Sequence, residues 1–374
     1  RMGNLQDPPI LLAGVVPPPV PGQSLATKAL FDSDLPGMRK RIIEIRSSQN
    51  LTQVGKFSLT KALSLFPLIW RTWKECLRYR PTTLYYTAGS GAWIPFVRDF
   101  AFLGLCRPFF RRTVIHYHSG DLAEFLESSK LRNLAGRLIY GRGAWTISLG
   151  QGCPIPNYPH NRIFEVPNGI AAPNHQGEPI PGKPFRILFL GNLYEDKGIF
   201  DLLEACKILA SQTSRPISVS LVGTYPDEET RIKVTEAIKS LPSGIHCEPP
   251  APAFGDEKWK QLRSHDVLVF PTYYRRENLP LVVIEAMAAS LPVVSTRWRG
   301  IPSLIEDGQT GFLTPISDPT AIAGALLQLS DSPGLATQLG RNARRKYEGS
   351  FTLEHFLLNM KAILQEASEI KISS

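Results

Sequence analysis

The sequence predicts an α/β protein built from two doubly wound domains, each with a parallel sheet covered by helices. Three observations support this class. Short apolar runs alternate with longer amphipathic segments in both halves of the chain, and strands that alternate with helices of such lengths form parallel βαβ units. A Pro- and Gly-rich stretch without periodicity interrupts the alternation at 171–184, as a linker does. The length of 374 residues exceeds that of an ordinary single core.

The first domain, residues 1–170, opens with a buried strand that runs into the stiff proline-rich loop at 17–22. Strands and helices then alternate to its end. The predicted strands are 10–16, 41–45, 83–87, 113–117 and 144–149, and the predicted helices are 23–31, 59–79, 93–105 and 121–140.

The second domain, residues 185–350, repeats the alternation. Its predicted strands are 186–190, 217–222, 267–270 and 292–295, and its predicted helices are 198–211, 227–240 and 279–289. Residues 351–374 contain an amphipathic helix that we expect to pack back toward the first domain. Two domains of this class face each other across a cleft, with the carboxyl ends of both sets of strands toward it.

Composition indicates a soluble globular protein, with 43% apolar and 20% charged residues. No apolar run approaches the roughly 18–20 residues of a membrane span, and the first residues do not form a signal-peptide pattern. The five cysteines are spread out and form no C-x-x-C pair, which argues against a disulfide framework or a zinc site. We therefore expect a cytoplasmic protein.

The positive charge belongs to the first domain, where residues 1–170 hold 21 Lys and Arg against 10 Asp and Glu. Such a surface suits an acidic acceptor or an anionic membrane, and a basic surface without a partner fits equally well. Segments 63–80 and 100–112 mix Trp, Phe, Leu and Arg, as helices that lie on a membrane do. Helices that only cover a sheet look similar, so peripheral membrane contact stays an alternative. Nothing indicates a nucleic-acid partner.

Candidate functional residues cluster in residues 267–313, where an apolar strand ends, a polar loop follows and a helix begins. Asn278 is placed to cap that helix, with Pro280 in its first turn, and the free N–H groups there form an anion site. Glu277 and Glu285 flank the site. Glu285 can accept two hydrogen bonds from a ribose diol, and Glu277 can contact a sugar beyond the phosphates. The alternative is that Glu277 caps the helix and Glu285 pairs with a surface base.

Residues 277–285 match the E-x7-E motif of retaining GT-B glycosyltransferases, and A-M-A-A-S-L-P-V-V-S-T at 286–296 and G-I-P-S-L-I-E-D-G-Q-T-G-F-L at 300–313 resemble family GT4, the glycosyl transferases group 1. Three further segments resemble the same family. They are P-P-P-V-P-G-Q at 17–23, V-P-N-G-I at 166–170 and G-N-L-Y-E-D-K-G at 191–198.

The resemblance implies a GT-B fold of two Rossmann-like domains and a nucleotide-sugar donor, with UDP-sugar favoured. It implies transfer of a hexosyl or N-acetylhexosaminyl group, with retention, to a glycan or lipid-linked glycan in surface polysaccharide or glycoconjugate assembly. No side chain is evident as a covalent nucleophile, which favours front-face attack assisted by the leaving phosphate. The nucleotide sugar is a co-substrate, and we expect neither a cofactor nor a metal.

The resemblance also assigns roles. Lys197 neutralises the diphosphate as a point charge, Glu285 holds the ribose, and Glu277 contacts the donor sugar. His118, in H-Y-H-S-G-D, hydrogen-bonds the transferred sugar, although a histidine after an apolar strand is more often a satisfied core residue. Lys197, Glu277 and His118 are thus the predicted catalytic residues.

The remaining donor-binding residues follow from the same motifs. The backbone N–H groups at the helix start cradle phosphate, the loop glycine allows close approach to the diphosphate, and two asparagines line the site. These residues are Leu279, Leu281, Val282, Gly22, Asn192 and Asn278. The family often has Arg where this chain has Asn192, so one cation is missing. The candidates to replace it are Arg186, Arg275 and Arg276.

Two short motifs resemble binding motifs but lack a supporting pattern. Asp32 and Asp34 form a D-x-D in a polar loop without a supporting pattern, which we interpret as a solvated turn. Residues 88–91 lack the full G-x-G-x-x-G fingerprint, so an ordinary βα turn is expected and a dinucleotide-dependent oxidoreductase is disfavoured. The main rival function is a non-catalytic nucleotide-sugar or glycan-binding module on the same fold.

Overall fold

The computed structural model describes residues 8–17, 22–46, 65–173 and 184–369. These residues form two compact units. The first unit comprises the described residues up to Gly169 together with those from Leu353 onward, and the second runs from Ile170 to Thr352. Most of the proline-rich loop predicted at 17–22 and of the linker predicted at 171–184 lies outside the described residues.

The first unit contains a six-stranded parallel sheet in the order β2-β1-β3-β4-β5-β6. Its strands are β1 (Pro9–Val16), β2 (Arg39–Arg46), β3 (Thr83–Thr87), β4 (Arg112–His116), β5 (Trp145–Ser148) and β6 (Arg162–Glu165). Strand β1 lies between β2 and β3, and its successive side chains enter two cores. Leu11 and Ala13 pack on one face, and Ile10 and Leu12 pack on the other. Burial on both faces explains its continuous apolar sequence.

Helices cover both faces of this sheet. They are α1 (Gly22–Asp32), α2 (Leu65–Tyr79), α3 (Trp93–Cys106), α4 (Leu122–Glu127) and α5 (Lys130–Tyr140), with a 3-10 turn at Arg107–Phe109. The single helix predicted at 121–140 is wrong, because Ser129 adopts an extended conformation (φ −150°, ψ 130°) between α4 and α5. No helix in the described part of the chain is long and apolar enough to cross a bilayer.

The last helix, α13 (Leu353–Ser368), belongs to the first unit. Its residues Phe356, Met360 and Leu364 pack into the same core as Ile10 of β1. The Thr83 hydroxyl also donates to the carbonyl of Ala367 at 3.0 Å. The end of the chain therefore completes the core that its first strand begins.

The second unit has its own six-stranded parallel sheet, in the order β12-β11-β10-β7-β8-β9. Its strands are β7 (Phe185–Leu190), β8 (Ile217–Val222), β9 (Ile245–Cys247), β10 (Val267–Phe270), β11 (Val293–Thr296) and β12 (Gly311–Thr314). Its helices are α6 (Ile199–Gln212), α7 (Glu228–Lys239), α8 (Gly255–Ser264), α9 (Leu281–Ala288), α10 (Ile301–Leu304), α11 (Pro319–Asp331) and α12 (Pro333–Ser350), and a 3-10 turn lies at Glu195–Lys197.

In each sheet the direction of chain progression reverses once, between β1 and β3 in the first unit and between β7 and β10 in the second. Loops that leave neighbouring strands in opposite directions open a crevice at the carboxyl ends of those strands, and ligands of doubly wound folds bind there. In the second unit, the loops that follow β7 and β10 are therefore the expected place for a ligand.

Candidate functional site

The loop after β7 ends in a tight turn that fixes Lys197. Gly198 closes this turn in a left-handed conformation, with φ of +81°. A Cβ at Gly198 would lie 2.2 Å from the carbonyl oxygen of Pro271 in the loop after β10, so only glycine fits. The N–H of Tyr273 donates to the carbonyl of Asp196 at 2.8 Å. The two loops of the crevice are thus joined through their backbones.

Lys197 and Glu277 meet in this crevice. The Nζ of Lys197 lies 3.3 Å from Oε2 of Glu277, and their side chains are only 16% and 17% exposed. The ammonium also lies 5.5 Å from the ring centroids of Phe270 and Tyr274, close enough for attraction by the ring faces. Two residues that the sequence places 80 positions apart therefore form one ion pair. This arrangement differs from the alternative in which Glu277 caps the helix.

Helix α9 begins at Leu281, with Pro280 at the N-cap and no side-chain cap. The predicted cap by Asn278 is therefore wrong. Proline restricts the preceding residue to extended conformations, which delays the helix start beyond Leu279. Asn278 is buried, and its carbonyl accepts from the N–H of Gly300 at 3.1 Å.

The three residues whose backbone N–H groups are predicted to bind phosphate lie in two different structural environments. Leu281 and Val282 lie in the first turn of α9, where N–H groups lack helical partners. Leu279 lies in the loop before the helix and its side chain is buried. The N–H of Val283 donates to the carbonyl of Pro280 at 3.2 Å and so is already used.

Glu285 is buried in α9 and paired with Lys258 of α8, with Nζ 2.6 Å from Oε1. Burial raises the pKa of the Glu285 carboxyl, and Lys258 acts in the opposite direction. The structure thus shows the pairing with a base that the sequence left as the alternative. Lys258 was missed, because a contact across 27 residues between two helices leaves no local signature.

Asn192 lies in the loop after β7, where its Oδ1 accepts a hydrogen bond from the Thr224 hydroxyl at 2.9 Å. Of the cations considered as replacements for the missing arginine, Arg186 is ruled out. It lies near the amino end of β7, away from the loop, and its guanidinium binds Asp266 at 2.7 Å. Arg275 and Arg276 are exposed in the loop after β10.

His118 follows β4 in the first unit and is 7% exposed. Within the described residues, neither of its ring nitrogens has a hydrogen-bond partner. Its ring lies 4.0 Å from the ring of His116, whose Nδ1 is 2.8 Å from the Tyr85 hydroxyl. Burial lowers the pKa of His118 to about 3, so the imidazole is neutral at physiological pH. This is not the satisfied core histidine of the alternative interpretation, because buried polar atoms normally have partners.

The turn at residues 88–91 is held by carboxylates. The N–H of Gly89 donates to Asp99 at 2.7 Å, and the N–H of Gly91 donates to Asp121 at 2.8 Å. These two donors are therefore engaged within the protein, as expected of an ordinary βα turn.

Asp32 and Gly22 are among the remaining residues considered in the sequence. Asp32 ends α1 and pairs with Lys28 at 2.5 Å. In the described ranges, no group of three or more His, Cys, Asp or Glu side chains is arranged to hold a metal ion. Gly22 is the first residue of α1, and the loop residues before it lie outside the described ranges.

Residues 172–346 match the family model of glycosyl transferases group 1. The chain is 30% identical over 246 residues to the amylovoran biosynthesis glycosyltransferase AmsK of Erwinia amylovora, covering 64% of this chain and 57% of that protein. It is 28% identical over 175 residues to the capsular polysaccharide biosynthesis glycosyltransferase CapM of Staphylococcus aureus, covering 45% and 42%. The aligned segments thus span about half the length of these relatives.

Solved structures show the same fold. A sucrose-phosphate synthase from Thermosynechococcus elongatus superimposes with a TM-score of 0.68 at 19% identity, covering 96% of this chain and 98% of that one. Anabaena HepE in complex with UDP superimposes with a TM-score of 0.69 at 15% identity, covering 96% and 99%. The predicted GT-B fold of two Rossmann-like domains is confirmed.

Proposed function

Because residues 172–346 match the family model of glycosyl transferases group 1, we propose that this chain is a member of that family and transfers a sugar from a nucleotide-sugar donor to a glycan or lipid-linked glycan. Relatives named for amylovoran and capsular polysaccharide biosynthesis support an acceptor in surface polysaccharide or glycoconjugate assembly. We propose a UDP-sugar with a hexosyl or N-acetylhexosaminyl group, in line with the UDP held by the HepE structure.

The observation that carries this proposal is the Lys197–Glu277 pair, 3.3 Å apart at the switch point beside the start of α9. A diphosphate placed there meets the ammonium of Lys197 and the N–H groups of Leu281 and Val282. Positive charge and helix amides favour an anion at this position. Glu277 then contacts the sugar on the far side of the diphosphate.

We assign the ribose to Glu285, with Lys258 as a positioning residue. Burial raises the pKa of Glu285 and would favour its neutral form, whereas Lys258 at 2.6 Å favours the carboxylate. An ionised carboxylate accepts two hydrogen bonds from a vicinal diol, and charge-assisted bonds are stronger than neutral ones. Lys258 thus keeps Glu285 in the form that suits a ribose.

Transfer proceeds with retention. The bond between the anomeric carbon and the diphosphate oxygen breaks, and the acceptor oxygen bonds to the same face of the sugar. The acceptor proton passes to an oxygen of the leaving phosphate. Lys197 and the amides of α9 stabilise the charge that develops on that phosphate, and the proposal includes no metal.

We assign the transferred sugar to His118 as well. Its neutral imidazole offers one donor and one acceptor nitrogen, and among the described residues neither nitrogen is engaged. A sugar hydroxyl can use both kinds of partner.

Nucleotide binding tests the donor site. Melting temperatures are compared with UDP, GDP and ADP, with and without Mg²⁺, for the wild type and a Lys197→Ala/Glu285→Ala variant. At a hundredfold excess over Kd, a ligand adds about 2.7 kcal/mol, or roughly 5–10 °C for a domain of this size. We expect a shift with UDP in the wild type, without Mg²⁺, and none in the double variant. Lys207→Ala is the control, because its ammonium pairs with Glu204 on the same helix, α6.

A non-catalytic nucleotide-sugar or glycan-binding module is the second candidate, favoured by Asn192 in place of the family's usual arginine. The wild type is incubated with UDP-sugars and a bacterial lipid extract as the acceptor source, and UDP release is measured. Release that Glu277→Gln lowers roughly 10- to 100-fold supports the transferase. Binding of UDP without any release supports the module. No shift with any nucleotide contradicts the donor-site assignment and favours a module that binds only glycan.

A further inference from the structure

Large apolar side chains are exposed mainly on one part of the first unit. Among the described residues seventeen such side chains are exposed, and eleven of them lie on α2, α3, α5 and the 3-10 turn after α3. Leu77 on α2, Trp93 on α3 and Leu131 on α5 are 76%, 61% and 76% exposed. Single exposed apolar residues are normal, whereas a concentration of them marks an interaction site.

Helix α3 buries its charged residues and exposes apolar ones, which is the reverse of the usual arrangement on a surface in contact with water. Its two charged residues, Arg98 and Asp99, form an ion pair at 2.7 Å with side chains 14% and 0% exposed. Trp93, Val97 and Phe100, spaced four and three residues apart, are 61%, 50% and 44% exposed. A helix on a water-covered surface normally turns its charges outward and its apolar stripe inward. The outward side of α3 is therefore suited to an apolar surrounding.

The outward sides of α2, α3 and α5 form one surface, which we call the apolar face. Ile69, Phe102 and Ile139, one from each helix, pack in the same core on the same side of the sheet. The indole N–H of Trp73 in α2 donates to the carbonyl of Leu105 in α3 at 3.1 Å. The guanidinium of Arg132 in α5 lies 5.3 Å from the ring of Trp93 in α3. The three helices are thus neighbours.

The exposed charges carried by the three helices have one sign, while neighbouring α4, whose Phe125 packs on Trp93, exposes Glu124 and Glu127. The exposed charged residues of the three helices are all cations: Arg71, Lys74, Arg78, Lys130 and Arg137. The two acidic residues of these helices are not exposed, since Asp99 is buried and Glu75 is half-buried near Arg41. Trp, Phe and Leu flanked by Lys and Arg are typical of surfaces that insert into the headgroup region of anionic bilayers. Protein interfaces are instead depleted in lysine.

We propose that the apolar face docks on an anionic lipid bilayer. The exposed aromatic and leucine side chains enter the interfacial zone, and the cations of α2 and α5 contact headgroup phosphates. This docking does not rest on the proposed function, because it involves no residue of the donor site.

Vesicle flotation tests this proposal without any donor. The vesicles contain phosphatidylcholine alone or about one third phosphatidylglycerol. We expect the wild type to float with the anionic vesicles, and Trp93→Ser/Phe100→Ser to bind them at least about tenfold more weakly. Arg71→Gln/Lys74→Gln/Arg78→Gln should lose roughly fivefold per charge and much of its sensitivity to salt. Ile232→Ser/Leu358→Ser removes exposed apolar residues from α7 and α13 and should bind like the wild type.

Circular dichroism and melting temperature establish that each variant is folded. The proposal is overturned if the folded wild type does not float with anionic vesicles at low salt, or if Trp93→Ser/Phe100→Ser floats as well as the wild type. It is also overturned if the wild type is a dimer that this variant dissociates and neither binds vesicles, since a second copy then covers the apolar face. None of these results alters the nucleotide-binding test.

Discussion

At the scale of single residues, Lys197 and Glu277 are proposed to contact different parts of the donor. Lys197 carries the charge that a diphosphate needs, and Glu277, 3.3 Å away, carries the opposite charge. Two such neighbours suit a ligand with an anionic part and a hydroxyl-rich part. We therefore expect Lys197 to contribute mainly to binding of the diphosphate and Glu277 to contribute mainly to turnover.

Glu277→Gln tests this separation. We expect UDP to stabilise the variant at least as much as the wild type, because a negative charge near the diphosphate is removed. Turnover of the UDP-sugar should fall roughly 10- to 100-fold, the range for a lost hydrogen bond to a charged group. Loss of stabilisation by UDP would instead place Glu277 at the diphosphate.

His118 should make the protein sensitive to acid. Burial lowers its pKa to about 3, against an ordinary value of 6.5. Between these pH values the histidine is protonated in the unfolded chain but neutral in the folded chain. The free energy of unfolding then falls as pH drops from 6.5 toward 3, by at most about 1.4 kcal/mol per pH unit for this group.

Urea unfolding at several pH values between 4 and 7 measures this dependence. His118→Asn should show a shallower fall than the wild type, and His246→Asn, which alters an exposed side chain, should match the wild type. Parallel curves for wild type and His118→Asn would contradict a buried neutral imidazole.

The site could be predicted from the sequence where its residues are close in the chain. The spacing of Glu277 and Glu285 placed one carboxylate before α9 and one within it, which the structure reproduces. The partner Lys258 could not be predicted, because α8 approaches α9 only through the fold. The cap assigned to Asn278 was wrong because Pro280 fixes where the helix starts.

At the scale of elements, the turn after β7 depends on one glycine. Gly198→Ala must place a Cβ 2.2 Å from the carbonyl of Pro271 at a φ of +81°. We expect a loss of at least about 1–3 kcal/mol of stability from the backbone strain alone, seen as a lower melting temperature.

Weaker binding of UDP should accompany that loss, since the same turn fixes Lys197. Gly244→Ala is the matched control, because its Cβ would meet no atom within 4 Å, and its effect should stay below about 0.5 kcal/mol. Equal losses in the two variants would contradict the assigned role of the turn.

Strands buried on both faces were predictable from their apolar runs, whereas three of the four strands at the edges of the two described sheets, β6, β9 and β12, were not. Strand β6 (Arg162–Glu165) is mostly exposed, carries a charge at each end and lies at the edge of the described sheet beside β5, so its sequence resembles a loop. Strand β9 spans three residues and also lies at an edge. For such segments, pairing with a neighbour supplies the stability that local sequence lacks.

At the scale of the whole molecule, chain order and structural units differ. The first unit takes its sheet from residues before Gly169 and one of its helices from residues after Leu353. Arg112 donates from its guanidinium to the carbonyl of Glu366 at 2.9 Å, which ties β4 to α13. The first unit is therefore completed only when the last helix is present, so its folding involves both ends of the sequence described.

Substitutions within α13 test this dependence. Leu364 is fully buried in the core of the first unit, whereas Leu358 on the same helix is 55% exposed. Leu364→Ala should cost about 2–5 kcal/mol through lost burial and a cavity, and Leu358→Ala should stay within about 0.5 kcal/mol. Hydrogen exchange should show the loss in β1 and β3, which share the core with α13, while β7 and β10 of the second unit keep their protection. Uniform loss of protection across both sheets would mean that the two units unfold as one, and no loss in β1 would contradict the packing of α13 on the first sheet.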